Sequence, residues 1–271
     1  MQRIDEPKQE LRMNILGIFM EGPNTGAALL RNGELVAIAE EERFNRVKRA
    51  PDTFPSSAIK YCLREANLKL REVAVIATAW DHAKYPDYMN EFMKTIPTRS
   101  LDQYAEKIEG LVHNQMTPEL AEFTINVGLK KIDIKANCQI MFIPHHLCHA
   151  ASVHYLSGFE SSASLIIDGS GEEISTSMWH GEGDDIKLLD HWDLPDSLGW
   201  YYAALTEYLG FGAYSGEGKV MGLAPYGKPD VTIGEKLRKI CIPDSKRVYR
   251  VDPTYIYHGE RTYSRRFTDK L

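Results

Sequence analysis

Short apolar runs alternate with polar turns and amphipathic stretches along this chain, a pattern that predicts a mixed α/β fold. Residues 14–19 read as a strand, 26–30 as the next and 35–39 as a third. Asn32-Gly33, between the second and third, is a strong signal for a two-residue hairpin. Phe54-Pro55-Ser56 opens a helix on which Ile59, Cys62, Leu63 and Ala66 recur at i, i+3, i+4 and i+7, an amphipathic face. Residues 73–77 predict a buried strand. From Asp87 to Lys130 the pattern is mostly helical, an insertion or lid between core strands, with Thr117-Pro118-Glu119 as a helix start.

The second half continues the alternation. Residues 138–143 read as a buried strand, and Pro144 punctuates it. A helix is expected from His146 to Leu156, ended by Gly158. Residues 163–167 form a continuous apolar run, as a strand buried on both faces should. It leads into Asp168-Gly169-Ser170-Gly171-Glu172, read as a glycine turn. Residues 174–180 and 187–192 predict further strands. Residues 197–209 predict an aromatic-rich helix closed by Gly210, and residues 248–251 a last strand. The polar residues 1–11 read as a flexible arm.

Composition narrows the class. With 271 residues the chain is long enough to bury a sizeable core, and 43% hydrophobic with 26% charged residues is an ordinary globular balance. The net charge of -6 and the lack of a long basic run argue against nucleic acid as a partner. No apolar run approaches ~20 residues, so no membrane span is expected. Cys62, Cys138, Cys148 and Cys241 show no Cys-x-x-Cys spacing and suggest reduced thiols in the cytoplasm.

The candidate chemistry centres on histidine. Three of the nine histidines fall within His145-His146-Leu147-Cys148-His149. On a helix, His145 and His149 share one face with Cβ atoms ~5–6 Å apart. That suits two imidazoles gripping one divalent metal, although a polar first turn with solvated histidines is the plainer alternative. Asp168, a carboxylate at a strand end, is a candidate third ligand. Gly169, Ser170 and Gly171 would let backbone N–H groups approach an anion or cofactor closely. Alone, Asp-Gly-Ser-Gly reads as an ordinary turn. Beside the histidines it reads as part of a metal or phosphate site. Ser215-Gly216-Glu217-Gly218-Lys219 is a glycine-rich entry with a lysine that suits a nucleotide, though the phosphate-loop spacing is absent.

Four stretches resemble the NodU/CmcH family of O-carbamoyltransferases. They are Ala39-Glu40-Glu41-Glu42-Arg43-Phe44-Asn45-Arg46-Val47-Lys48, His145-His146-Leu147-Cys148-His149-Ala150-Ala151-Ser152, Ile167-Asp168-Gly169-Ser170-Gly171-Glu172 and Gly216-Glu217-Gly218-Lys219-Val220-Met221-Gly222-Leu223-Ala224-Pro225-Tyr226-Gly227. The resemblance implies an α/β fold with ribonuclease-H-like lobes, as in the actin, sugar kinase and acetate kinase superfamily. It also implies a metal held by His145, His149 and Asp168, with Fe(II) or another divalent ion fitting imidazole and carboxylate donors. ATP would contact Gly169, Ser170, Gly171, Glu217 and Lys219. A lysine near Lys48 would face the transfer site. Relatives usually carry a His-Asp pair in the loop of residues 20–26, where this chain has Pro23-Asn24. Asn24 hydrogen-bonds but cannot act as a base at neutral pH, which leaves another carboxylate such as Glu21, or a different acceptor.

Family members normally continue into a YrdC-like domain that makes carbamoyl-adenylate from carbamoyl phosphate and ATP. The chain is therefore expected to be an N-terminal piece. Residues 12–230 would carry the first lobe and the start of the second, and residues 231–271 an incomplete second-lobe segment. The segment from Trp200 to Tyr214 is accordingly expected to be poorly covered, with Trp200 exposed. The activity implied is carbamoyl transfer to a small-molecule hydroxyl. A phosphotransferase of the same superfamily and a non-catalytic ATP- or metal-binding subunit are the alternatives.

Overall fold

The computed structural model describes residues 13–20, 22, 24–51, 53–84, 117–256 and 261–271. The expected arm, Glu21 and Pro23 of the expected acceptor loop, and residues 87–116 of the expected helical insertion lie outside them. The chain divides into two compact units, Met1–Asp81 with Pro118–Ile143, and His82–Thr117 with Pro144–Leu271. Among the described residues no helix is long and apolar enough to cross a membrane.

The first unit is a five-stranded sheet in the order β3-β2-β1-β4-β5. Its strands are β1 (Asn14–Phe19), β2 (Gly26–Arg31), β3 (Glu34–Glu40), β4 (Val75–Thr78) and β5 (Gln139–Phe142). β1, β2 and β3 form an antiparallel meander, while β4 and β5 run parallel to β1. This is the strand order of a ribonuclease-H-like lobe, the fold class expected. Asn32 and Gly33 both take positive φ, 53° and 85°, as the tightest hairpin turns require. The short helix α1 (Glu42–Asn45) follows the meander, and α2 (Ser56–Glu65) lays the predicted face of Ile59, Cys62, Leu63 and Ala66 into the core with Leu16, Leu29 and Ile76. Each buried leucine or isoleucine among them contributes roughly 1.5–3 kcal/mol. Helix α3 (Pro118–Ile132) packs so closely that a Cβ on Gly128 would meet the Phe54 ring at 2.5 Å. One boundary moves. Val73 precedes the strand expected to include it, because residues 70–72 form a 3₁₀ turn in which the Glu72 carboxylate accepts the Lys69 N–H.

The second unit opens with α4 (His145–Ser157), one residue longer at each end than predicted, followed by β6 (Ser161–Gly171), β7 (Ile174–Glu182) and β8 (Asp185–Asp193). These strands form an antiparallel sheet in sequence order. Then come α5 (Leu198–Tyr208), α6 (Glu217–Leu223), α7 (Val231–Arg238), a hairpin of β9 (Cys241–Asp244) and β10 (Val248–Val251), and α8 (Arg265–Lys270).

Three expectations change here. The apolar run of β6 is buried on one face only: Ile166 is in the core, but Leu165 is 60% exposed. β6 is an edge strand of an antiparallel sheet, and such sheets cover one face rather than both. Residues 168–171 are not a turn. They continue β6, with its register shifted between Ile167 and Gly171, and the turn falls on Glu172 and Glu173. Trp200 is only 6% exposed. It joins Ile240, Val251, Tyr255, Ile256 and Phe267 in a second core, which covers the first part of the segment expected to stand open. Leu209 and Tyr214, at the end of that segment, do remain exposed.

Candidate metal centre

Helix α4 and the end of β6 bring three side chains to one point. His145 Nε2 lies 3.1 Å from Asp168 Oδ2, His149 Nε2 lies 3.2 Å from the same oxygen, and the two Nε2 atoms are 3.0 Å apart. The imidazoles stand edge to face, 4.6 Å between centroids. The i, i+4 spacing predicted from sequence accounts for the shared histidine face. Among the described residues this is the group of metal-ligating side chains that gathers in this way.

Asp168 is held from several directions. The Gly169 N–H donates to its Oδ1 at 2.6 Å, leaving Oδ2 to face the histidines. Ser197 caps α5 by accepting the Trp200 N–H, and its hydroxyl donates to the Gly169 carbonyl at 2.7 Å. A Cβ on Gly199 would meet the Asp168 carbonyl oxygen at 2.4 Å, so the first turn of α5 presses directly on the backbone that carries the carboxylate. Burial alone would raise the Asp168 carboxyl. Hydrogen bonds from His145, His149 and the Gly169 N–H outweigh it and hold the group well below the usual carboxylate range.

The neighbouring side chains are neutral supports. His146 is buried, with Nδ1 2.7 Å from Ser177 Oγ, and the Trp179 indole N–H donates to that same oxygen. The Ser177 hydroxyl, one donor with two acceptor lone pairs, can serve both partners. Burial pushes His146 down to about 4, against the pull of the Asp168 charge. Burial, then the charge of Glu172, pushes the Cys148 thiol up to about 11. Its sulfur is not among the donor atoms that gather at the triangle.

The triangle of donors fits a metal ion better than it fits hydrogen bonds. An imidazole nitrogen either donates or accepts. If both Nε2 atoms carry protons, both can serve Asp168, but the 3.0 Å contact between them sets two N–H groups against each other. If one accepts, its own contact with the carboxylate loses its proton. At least one edge stays unsatisfied. Donors ~2.1 Å from one ion are ~3.0 Å apart along an octahedral edge and ~3.4 Å apart in a tetrahedron, close to the spacing found here.

The other predicted site residues fall in two places. Asn24 and Lys48 belong to the first unit and are exposed. Their loops meet: the Asn24 N–H donates to the Arg49 carbonyl at 2.8 Å. That loop is bent sharply, with Arg46, Arg49 and Ala50 all at positive φ. Gly169, Ser170 and Gly171 lie in the last residues of β6, beside the donor triangle. Glu217 and Lys219 stand on α6, where Glu217 accepts the Tyr214 N–H at 2.6 Å and Lys219 is exposed. No individual role follows from sequence for Glu172, Ser197 or Gly199, although Glu172 closes the Asp168-Gly169-Ser170-Gly171-Glu172 stretch. Ser197 had a readable signal, since a serine before an apolar helical stretch is a preferred cap.

The first unit thus has a ribonuclease-H-like strand order, and the second carries a His-His-Asp donor triangle on a helix and a strand end. The chain belongs to the carbamoyltransferase N-terminus family, whose pattern it matches over residues 14–267. It is 36% identical over 218 residues to the uncharacterized protein sll1178 of Synechocystis, covering 80% of this chain and 35% of that protein. It is 32% identical over 244 residues to the nodulation protein NolNO of Sinorhizobium fredii, covering 86% of this chain and 33% of that protein. The chain spans about a third of the length of these curated relatives. Among solved structures, YeaZ from Pseudomonas aeruginosa aligns with a TM-score of 0.36 at 14% identity, over 68% of each chain.

Proposed function

We propose that this chain carries the metal-holding region of an O-carbamoyltransferase. The whole protein would move a carbamoyl group from carbamoyl phosphate, through carbamoyl-adenylate, to a hydroxyl of a small molecule such as a sugar or natural product. The observation that carries this reading is the 3.0–3.2 Å triangle of His145, His149 and Asp168 in a chain of this family.

His145 and His149 would each offer an Nε2 lone pair, and the ionised Asp168 one oxygen. Two imidazoles and one carboxylate on one face suit Fe(II), with zinc or manganese able to substitute. When bound, such an ion supplies a Lewis acid for a phosphoryl or carbonyl oxygen. In the transfer, the acceptor oxygen bonds to the carbamoyl carbon as its proton passes to solvent, the bond from that carbon to the adenylate oxygen breaks, and AMP leaves. Asn24 would hold the acceptor by hydrogen bonds, since an amide cannot take its proton. Lys48 would meet the donor's negative charge. Gly169, Ser170, Gly171, Glu217 and Lys219 are the candidates for contact with ATP or the adenylate. Carbamoyl-adenylate itself would come from a YrdC-like domain. The four free cysteines support a reducing, cytoplasmic setting.

The test combines this chain, a separately produced YrdC-like domain, ATP, carbamoyl phosphate and a panel of hydroxyl compounds. Acceptor-dependent AMP release that falls on His149→Ala supports the reading. Release unchanged by that substitution contradicts it. Phosphoryl transfer from ATP without carbamoyl phosphate would instead make the chain a phosphotransferase.

A further inference from the structure

The turn from β6 to β7 consists of Glu172 and Glu173, closed by the pairing of Gly171 with Ile174. Glu172 sits at φ 49°, in the left-handed region. Glycine or asparagine fills such a turn position most easily, and a glutamate carries a steric cost there. A charged side chain at a hairpin tip would ordinarily point into water. Glu172 is instead 3% exposed.

Its carboxylate meets the start of α4. Both oxygens accept from the His145 N–H, at 3.1 and 3.2 Å. The opening N–H groups of a helix have no partner inside it, and a negative charge there is favoured by the helix dipole as well. The residue before the helix is Pro144, which provides no side-chain cap. Glu172 thus supplies from a distant turn what the local sequence lacks.

The residue it clamps is one of the three donors, His145, whose Nε2 faces Asp168 at 3.1 Å. Asp168 lies four positions before Glu172, in the strand that leads into this turn. One short segment therefore holds both the third donor and the grip on the first. Gly171 stands between them, and a Cβ there would meet His145 Cβ and Cδ2 at 2.7 Å. Strand end and helix start are in direct contact, so a small shift of the helix start moves both imidazoles relative to the carboxylate.

We propose that Glu172 is the positioning residue of this centre: its buried carboxylate fixes the first turn of α4 so that His145 and His149 converge on Asp168, and its charge strengthens the hold on a divalent cation. This rests on the metal reading above. Groups that orient metal ligands from outside typically change affinity 10–100-fold when replaced.

The test uses zinc as the probe, with dissociation constants from competition against a chromophoric chelator and melting temperatures of the metal-free proteins. Glu172→Gln keeps an oxygen acceptor and removes the charge. Glu172→Gly removes both and relieves the positive φ. The expected result is zinc binding about tenfold weaker for Glu172→Gln and weaker still for Glu172→Gly, whose metal-free melting temperature stays near that of the unaltered protein. If Glu172→Gly does not fold, Glu172→Gln decides. Unchanged affinity in the folded variants, whatever their melting temperatures, makes Glu172 a helix cap only and overturns the inference while leaving the metal reading intact. An unaltered protein that binds no zinc overturns both.

Discussion

The Nε2 atoms of His145 and His149 lie 3.0 Å apart while both face the same oxygen of Asp168. Two imidazoles so arranged cannot both satisfy their nitrogens with protons. A shared cation would remove the conflict, by accepting both lone pairs and the carboxylate charge together. The contact thus links the secondary structure, an i, i+4 pair, to the chemistry the site can perform.

The close contact of strand end and helix start makes Gly171 a sensitive position. A Cβ there would approach His146 Cδ2 at 2.6 Å and His145 Cβ at 2.7 Å. Overpacking of this kind costs ~1–3 kcal/mol. Gly171→Ala is expected to lower the denaturant midpoint of unfolding accordingly, without changing its slope. An unshifted midpoint would mean that the helix start yields without cost.

The acidic run of residues 40–42 contains two different kinds of glutamate. Glu41 is buried and accepts the Ser57 and Ala58 N–H groups at the start of α2, at 2.8–3.1 Å. Glu40 pairs with exposed Arg43. Losing a helix cap costs ~0.5–2 kcal/mol, and a surface ion pair contributes ~0.2–1 kcal/mol. Glu41→Ala is therefore expected to destabilise more than Glu40→Ala, as read by urea unfolding. The reverse order would count against the cap.

Much of the scaffold can be read from the sequence because its signals are local. The Asn32-Gly33 turn and the buried face of Ile59, Cys62, Leu63 and Ala66 follow from rules that act within a few residues. The same holds for the pairing of His145 with His149. What sequence does not reveal is nonlocal. Trp200 is covered by Val251, Tyr255 and Phe267, each more than fifty positions away. The apolar run of β6 resembles a central strand, and only the sheet order makes it an edge. Glu172 is hidden for a different reason. Turn rules favour glycine at its position, so a buried glutamate there runs against the local pattern.

Cys62 provides a check on the first core. Burial pushes its thiol up to about 11, against ~8.5 for an exposed cysteine. The folded state therefore holds its proton where the unfolded state loses it. Stability should be unaffected below about pH 8.5 and fall as pH rises towards the folded value. At pH 8, Cys62 is expected to resist iodoacetamide in the folded protein and to react once the chain is unfolded in urea. Rapid labelling of folded protein, located by peptide mass spectrometry, would contradict the burial.

If His145, His149 and Asp168 hold one divalent ion as proposed, metal content per chain must depend on each of them. Purified protein, its His149→Ala variant and its Asp168→Ala variant would be loaded under identical anaerobic conditions with Fe(II) or with zinc, desalted, and analysed for metal per chain. Close to one equivalent is expected in the unaltered protein and a large loss in both variants, with circular dichroism spectra unchanged. Equal metal content in all three proteins would contradict it.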